Sequence, residues 1–216
     1  MNHSAPKPRR PLEFLIWGGL ALTIAGIAVA YIMSQLAQVR RDPLPVITQG
    51  LPPFTLTNQL GRPVTPADLA NRICVVDVIF TRCAGPCPEM TRRMSELQKV
   101  IPGNLPVKLI TVTTDPEYDT PGVLNRYAER YQANTNRWWF LTGSKSEIGR
   151  LAREGLKLVA QETKPEDRVN DADLFIHSTV FVVLDKRGRL RGAFESTEPD
   201  FSRRIVGAVR RLSREK

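Results

Sequence analysis

From Phe14 to Met33 the chain runs for twenty residues without a charged side chain, and no other stretch restricts the fold so strongly. A helix of that length rises about 30 Å, the hydrocarbon thickness of a bilayer. A buried core helix would keep a polar face over five turns, and only Thr23 and Tyr31 are notably polar here. The run therefore reads as one transmembrane helix over residues 13–34, after a short cytoplasmic N-terminus at 1–12. Lys7, Arg9 and Arg10 precede it, and Arg40 and Arg41 follow. The basic bias is small and favours the N-terminus inside. Ala28-Val29-Ala30 offers a small-residue cleavage site of the secretory kind, but the apolar run continues through Tyr31, Ile32 and Met33, which favours a retained anchor. Ten residues are too few for a mitochondrial transit peptide. The expectation is a single-pass protein of a bacterial inner membrane, with everything after the helix on the periplasmic or extracytoplasmic side.

The formal net charge of +9 over 216 residues looks strongly basic until it is divided. Residues 1–41 account for +4, and the remaining 175 residues carry 26 basic against 21 acidic side chains. No dense basic stripe with interleaved aromatics appears, so nucleic acid is excluded as the expected partner. The C-terminal arginines from Arg203 to Arg214 suit the solvated face of a last helix.

Residues 35–50 are polar and then broken by Pro43 and Pro45, which predicts a linker; residues 51–216 form the exported domain. Ile73-Cys74-Val75-Val76-Asp77-Val78-Ile79-Phe80 is a nearly continuous apolar run rich in β-branched residues, as expected of a strand buried on both faces. Helices are predicted over 88–100, 121–131, 146–156 and 199–212, and strands over 107–113, 138–141, 179–184 and 190–194. Asp185-Lys186-Arg187-Gly188 is a hairpin signal between the last two strands. This alternation predicts a mixed α/β sheet.

Of three cysteines, Cys74 lies inside the apolar strand and reads as a small core hydrophobe. Cys83 and Cys87 follow that strand directly, and Pro88 suits the first position of a helix, so Cys87 falls at or near the N-cap. There the helix dipole should lower the thiol pKa. Such a pair can act as a redox couple, as two soft metal ligands, or as a stabilising disulfide; a loop this short gives the last little entropic effect. Two histidines are present. His3 precedes the anchor, and His177 stands before the strand 179–184, either as a hydrogen-bonded structural residue or as a third ligand. Two thiolates and an imidazole, with no hard oxygen donors, select copper over magnesium or calcium; zinc is allowed by ligand type but wants a fourth ligand.

The segment Phe80 to Pro88, the run Thr111 to Thr120 with its Asp115-Pro116, and His177-Ser178-Thr179 before a strand and an Asp-x-x-Gly turn together resemble the Sco/SenC family over roughly residues 50–212. The resemblance implies a thioredoxin-like fold behind the N-terminal anchor and a copper site made of Cys83, Cys87 and His177. It also implies copper delivery to the binuclear copper site of cytochrome c oxidase, with that enzyme's copper-accepting subunit as partner. Asp115 would be a loop residue near the site, or would cap its own turn. Where the family usually has an acidic residue before the histidine, this chain has Ile176.

Asp77 adds a second strand of argument. It lies inside the buried run, six residues before Cys83, at the offset where thioredoxins carry a buried aspartate. Buried there, its pKa should rise, and it would relay protons to a thiol or serve as a hydrogen-bonded structural residue. No proline stands near Ser178-Thr179, where thioredoxins place one facing the disulfide. Two functions follow: a copper metallochaperone using Cys83, Cys87 and His177, or a thiol–disulfide oxidoreductase cycling Cys83 and Cys87. The soft-ligand set favours copper.

Overall fold

A computed structural model of the chain describes residues 10–41, 43–158 and 179–215. His3, Ile176, His177 and Ser178 lie outside the described residues. The chain divides into two compact units, residues 1–42 and 43–216.

The first unit is one helix, α1 (Arg10–Arg41). Its stretch Phe14–Ser34 has a mean hydropathy of 2.0 and is long and apolar enough to cross a membrane. Phe14, Leu15, Trp17 and Leu22 stand exposed along it, an apolar surface that water does not favour.

The second unit is built on a seven-stranded sheet. Its elements are β1 (Leu56–Asn58), β2 (Pro63–Val64), α2 (Pro66–Leu69), β3 (Ile73–Ile79), α3 (Cys87–Val100), β4 (Val107–Thr113), α4 (Pro121–Arg130), β5 (Trp138–Thr142), α5 (Lys145–Arg150), β6 (Val180–Leu184), β7 (Leu190–Glu195) and α6 (Phe201–Arg214). A π-helical turn, Leu151–Gly155, continues α5. The strand order is β2-β1-β5-β4-β3-β6-β7. β3 pairs in parallel with β4, and β4 with β5; β1, β6 and β7 are added antiparallel. This is the expected mixed α/β sheet, with the β1–β2 hairpin and α2 as elements that the apolar patterning left unassigned.

Every residue of β3 and β4 is buried, because helices cover both faces of these central parallel strands. Side chains alternate between the faces with period two. Ile73, Val75 and Ile79 pack with Met90, Met94 and Leu97 of α3 and with Ile205 and Val209 of α6. Cys74, Val76 and Val78 pack on the other face with Ile148, Leu151 and Leu156. Full burial of each such aliphatic side chain contributes about 1.5–3 kcal/mol. Asp77 belongs to the α3 face by the same alternation, which sets its role below. The hairpin signal is realised as well: Gly188 takes φ +71°, and the Asp185 carboxylate accepts from the Arg187 and Arg189 backbone N–H groups at 2.9 and 3.0 Å.

Residues 35–50 differ from the expected linker. Helix α1 continues to Arg41. From Leu44 the chain is fastened along β7, where Arg191 Nε donates to the carbonyls of Leu44 and Pro45 at 3.1 and 3.0 Å and Ile47 N–H donates to Leu190 O at 2.8 Å. The cause is Arg191 itself. Its guanidinium is buried and gathers the carboxylates of Asp185 and Glu215 together with those two carbonyls, as a buried cation must.

Candidate functional site

Strand β3 ends at Ile79, and the next seven residues turn the chain into α3. Cys83 N–H closes that turn by donating to Phe80 O at 3.2 Å. Pro86 precedes the helix, Cys87 is its first residue and Pro88 its second, so the proline sits one place later than expected. Cys83 and Cys87 are both buried free thiols, and their side chains are hydrogen-bonded to each other. Below them, Thr91 Oγ1 donates to Cys87 O at 2.8 Å and lies 2.9 Å from the Tyr127 hydroxyl, which locks the first turn of α3 to α4.

The expected acidification of Cys87 is not realised. Burial, then the hydrogen bond with Cys83, then the charges of Cys83 and Asp77 push the thiol up to about 12, against an opposing backbone hydrogen bond at Phe80. The helix N-terminus is present, but removing the thiol from water outweighs it. Cys87 is therefore a protonated thiol at neutral pH until a cation or an oxidation removes its proton. Cys74 is inert for a related reason: it is fully buried in the opposite core and its thiol is pushed up to about 12, as a structural cysteine should be.

Asp77 is fully buried. Thr111, its cross-strand partner in the β3–β4 register, donates from Oγ1 to Asp77 Oδ1 at 2.7 Å. Trp138 Nε1 in turn donates to Thr111 Oγ1 at 2.9 Å. The second carboxylate oxygen, Oδ2, has no hydrogen-bond partner among the described residues. Burial lifts this carboxyl to about 7, with the Thr111 hydrogen bond pulling the other way. Asp77 is thus a titratable group under the thiols, and its charge acts on Cys87.

On the rim, Asp115 does not cap its own turn with its side chain. Its carboxylate takes Arg82, the neighbour of Cys83, through Nε at 3.0 Å and Nη2 at 2.5 Å, and the Arg82 guanidinium stacks 4.3 Å over the Tyr118 ring. The stronger fastening is Asp119, which sequence reasoning missed. It is fully buried and accepts from Thr81 N–H at 3.1 Å, from the Thr81 hydroxyl and from the Thr113 hydroxyl. One carboxylate therefore ties the start of the thiol loop to the end of β4. The only hint in the sequence is that Thr81 and Thr113 stand at strand exits, with Asp119 in the turn before α4.

No three His, Cys, Asp or Glu side chains converge as a metal-holding group among the described residues, and the expected third ligand, His177, lies outside them. What is described fits a soft cation in part: two adjacent sulfurs in an apolar setting, with no hard oxygen donor bonded to either among the described residues.

Comparison with known proteins places this arrangement. A model of the SCO1/SenC family matches residues 47–213. The SCO1 protein homolog of Bacillus subtilis is 32% identical over 176 residues, which cover 81% of this chain and 86% of that one. Among solved structures, BsSco, described as having a disulfide switch and as a member of the Sco family of cytochrome c oxidase assembly proteins, is 32% identical. It superposes with a TM-score of 0.67, over 81% of this chain and 100% of that chain. Bradyrhizobium japonicum ScoI, solved with copper bound, shares the fold at 21% identity and a TM-score of 0.61, over 76% of this chain and 99% of its own.

Proposed function

Since this chain belongs to the SCO1/SenC family, we propose that it is a membrane-anchored copper metallochaperone that carries copper on Cys83, Cys87 and His177 to the copper-accepting subunit of cytochrome c oxidase. Residues 1–12 lie in the cytoplasm, 13–34 cross a bacterial inner membrane, and the thioredoxin-like domain works on the periplasmic side. The observation that carries this reading is the pair of buried, mutually hydrogen-bonded thiols at the end of β3. Soft sulfur donors removed from water suit Cu(I).

The cargo is taken up by proton exchange. Copper displaces the proton that burial holds on Cys87, so loading is favoured as pH rises. Asp119 keeps the loop that presents both sulfurs in place while the metal exchanges. His177 supplies the third donor, and release proceeds by substitution of these ligands one at a time by those of the acceptor.

The test is a Cu(I) titration of the reduced full chain in detergent against a competing chelator, beside His177→Ala. One copper per chain, bound at least about tenfold more weakly in the variant, is the expected result. Affinity indifferent to His177 would overturn the three-ligand site.

Asp77 favours a second reading, that of a thiol–disulfide oxidoreductase. In that reaction the Cys83 and Cys87 thiols become a disulfide, and two electrons and two protons pass to a disulfide of the partner. A buried carboxyl with a pKa near 7 on the same sheet face is suited to accept a thiol proton. Reduction of a partner disulfide that survives His177→Ala but is lost in Asp77→Asn would favour this reading over delivery.

A further inference from the structure

The end of the sheet opposite the thiols holds a cavity of about 310 Å³ between the start of β4, the start of β5 and the β1–β2 turn. Lys108 lines it and is unusual in being a lysine inside a central strand, only 3% exposed. Its Nζ donates to the Asn136 carbonyl at 2.7 Å and lies 3.7 Å from the centre of the Trp139 ring. One carbonyl and one ring face occupy part of what an ammonium with three donors can bind.

Among the described residues no carboxylate lies within ion-pair distance of Lys108. The nearest acidic group in the cavity wall, Asp68, is bound to the Thr65 N–H and hydroxyl at 2.8 Å as a helix cap. The other charge in the wall is Arg62, a second cation. A buried ammonium without a counter-ion is costly, and a leucine or methionine would fill the strand position without that cost. Burial and the nearby Arg72 accordingly pull Lys108 down to about 8.

From this the geometry points to a second binding site: the cavity between Lys108, Arg62 and Trp139 takes a small oxyanion, a phosphate or carboxylate group, whose charge completes the environment of the Lys108 ammonium. The volume admits a small metabolite bearing such a group, with the Trp139 indole as an apolar wall beside the anion. The site is independent of copper, since it lies at the N-terminal ends of the parallel strands and the thiols follow the C-terminal end of β3.

The experiment is titration of the reduced full chain in detergent, in a buffer without oxyanions, with inorganic phosphate and separately with malonate, read by tryptophan fluorescence and by calorimetry. Trp139 at the cavity makes the fluorescence responsive. Saturable binding of either probe is expected, with phosphate and malonate distinguishing the two anion types. Lys108→Met keeps the apolar stem and should weaken binding at least about tenfold, the loss of a charge-assisted hydrogen bond. Arg62→Ala, on an exposed side chain that leaves the core intact, should weaken it by a smaller factor and keeps the test decisive if Lys108→Met fails to fold. Copper binding should be unchanged in both. Failure of both probes to bind saturably, or equal affinity in wild type and Arg62→Ala and Lys108→Met, would overturn the site.

Discussion

Two carboxylates, Asp77 and Asp119, are both fully buried at the thiol end of the domain, yet their surroundings have opposite character. Asp119, between the thiol loop and the exit of β4, is met by a backbone N–H and two hydroxyls. Asp77, in the middle of β3, is met by one hydroxyl and keeps an oxygen with no partner among the described residues. A carboxylate surrounded by donors is a fastening, because removing it strands every donor at once. A carboxyl with one donor and an orphan oxygen is instead free to change protonation, because little holds it in the charged form. One fixes where the sulfurs stand, and the other sets the charge beneath them.

Loss of Asp119 should have the largest destabilising effect on the fold. Asp119→Ala should cost about 3 kcal/mol or more, since it leaves Thr81 N–H and two hydroxyls unmatched in the interior. Urea unfolding of the reduced chain measures it, and a loss below about 1 kcal/mol would show that the donors find other partners.

Asp77→Asn should have an effect of similar size and a different signature. The folded carboxyl titrates near 7, above its ordinary 3.8, so the folded state holds the proton more tightly than the unfolded chain does. Stability in the wild type therefore falls as pH rises from about 4 to about 7 and then levels off. The amide has no such titration, so the variant should lose that slope and be relatively more stable at pH 8, by roughly 4 kcal/mol. Parallel slopes in the two proteins would mean that Asp77 is ionised throughout.

Thr111→Val sharpens the same point at a smaller scale. It removes the donor to Asp77 and the acceptor of Trp138, costs about 1 kcal/mol, and should move the pH-dependent fall in stability to higher pH. Arg82→Ala comes last. Its pair with Asp115 is largely exposed, so no resolvable change in urea stability is expected. Any loss it causes should appear instead in reaction with a partner protein, because Arg82 and Tyr118 form the exposed rim beside Cys83.

Much of the fold is legible in the sequence because burial imposes period and composition. The apolar run at β3, the helix behind Pro88 and the hairpin at Gly188 all leave local signals, and each element lies within a residue or two of its expected bounds. The stretch 146–156 reads as one helix but divides into α5 and a π-helical turn, a difference of hydrogen-bond register with no distinct apolar period. The two-residue strand β2 and the four-residue α2 are too short to show any period. Residues 43–50 read as a linker because prolines and polar residues mark loops, whereas their attachment depends on Arg191, nearly 150 positions away.

The site follows the same division. Cys83 and Cys87 stand out through local spacing, and Asp77 through its polarity inside an apolar strand. Asp119 does not, because its meaning lies in Thr81, 38 positions before it. The thiol pKa departs from the expected direction because the helix terminus is local and visible in sequence, while the burial that outweighs it is a tertiary property.

The most direct test of the central claim is X-ray absorption at the copper edge of the reduced full chain loaded with one Cu(I). Two sulfur scatterers and one nitrogen are expected, with the nitrogen lost in His177→Ala and one sulfur lost in Cys87→Ser. A shell of sulfur alone, unchanged by His177→Ala, would contradict it.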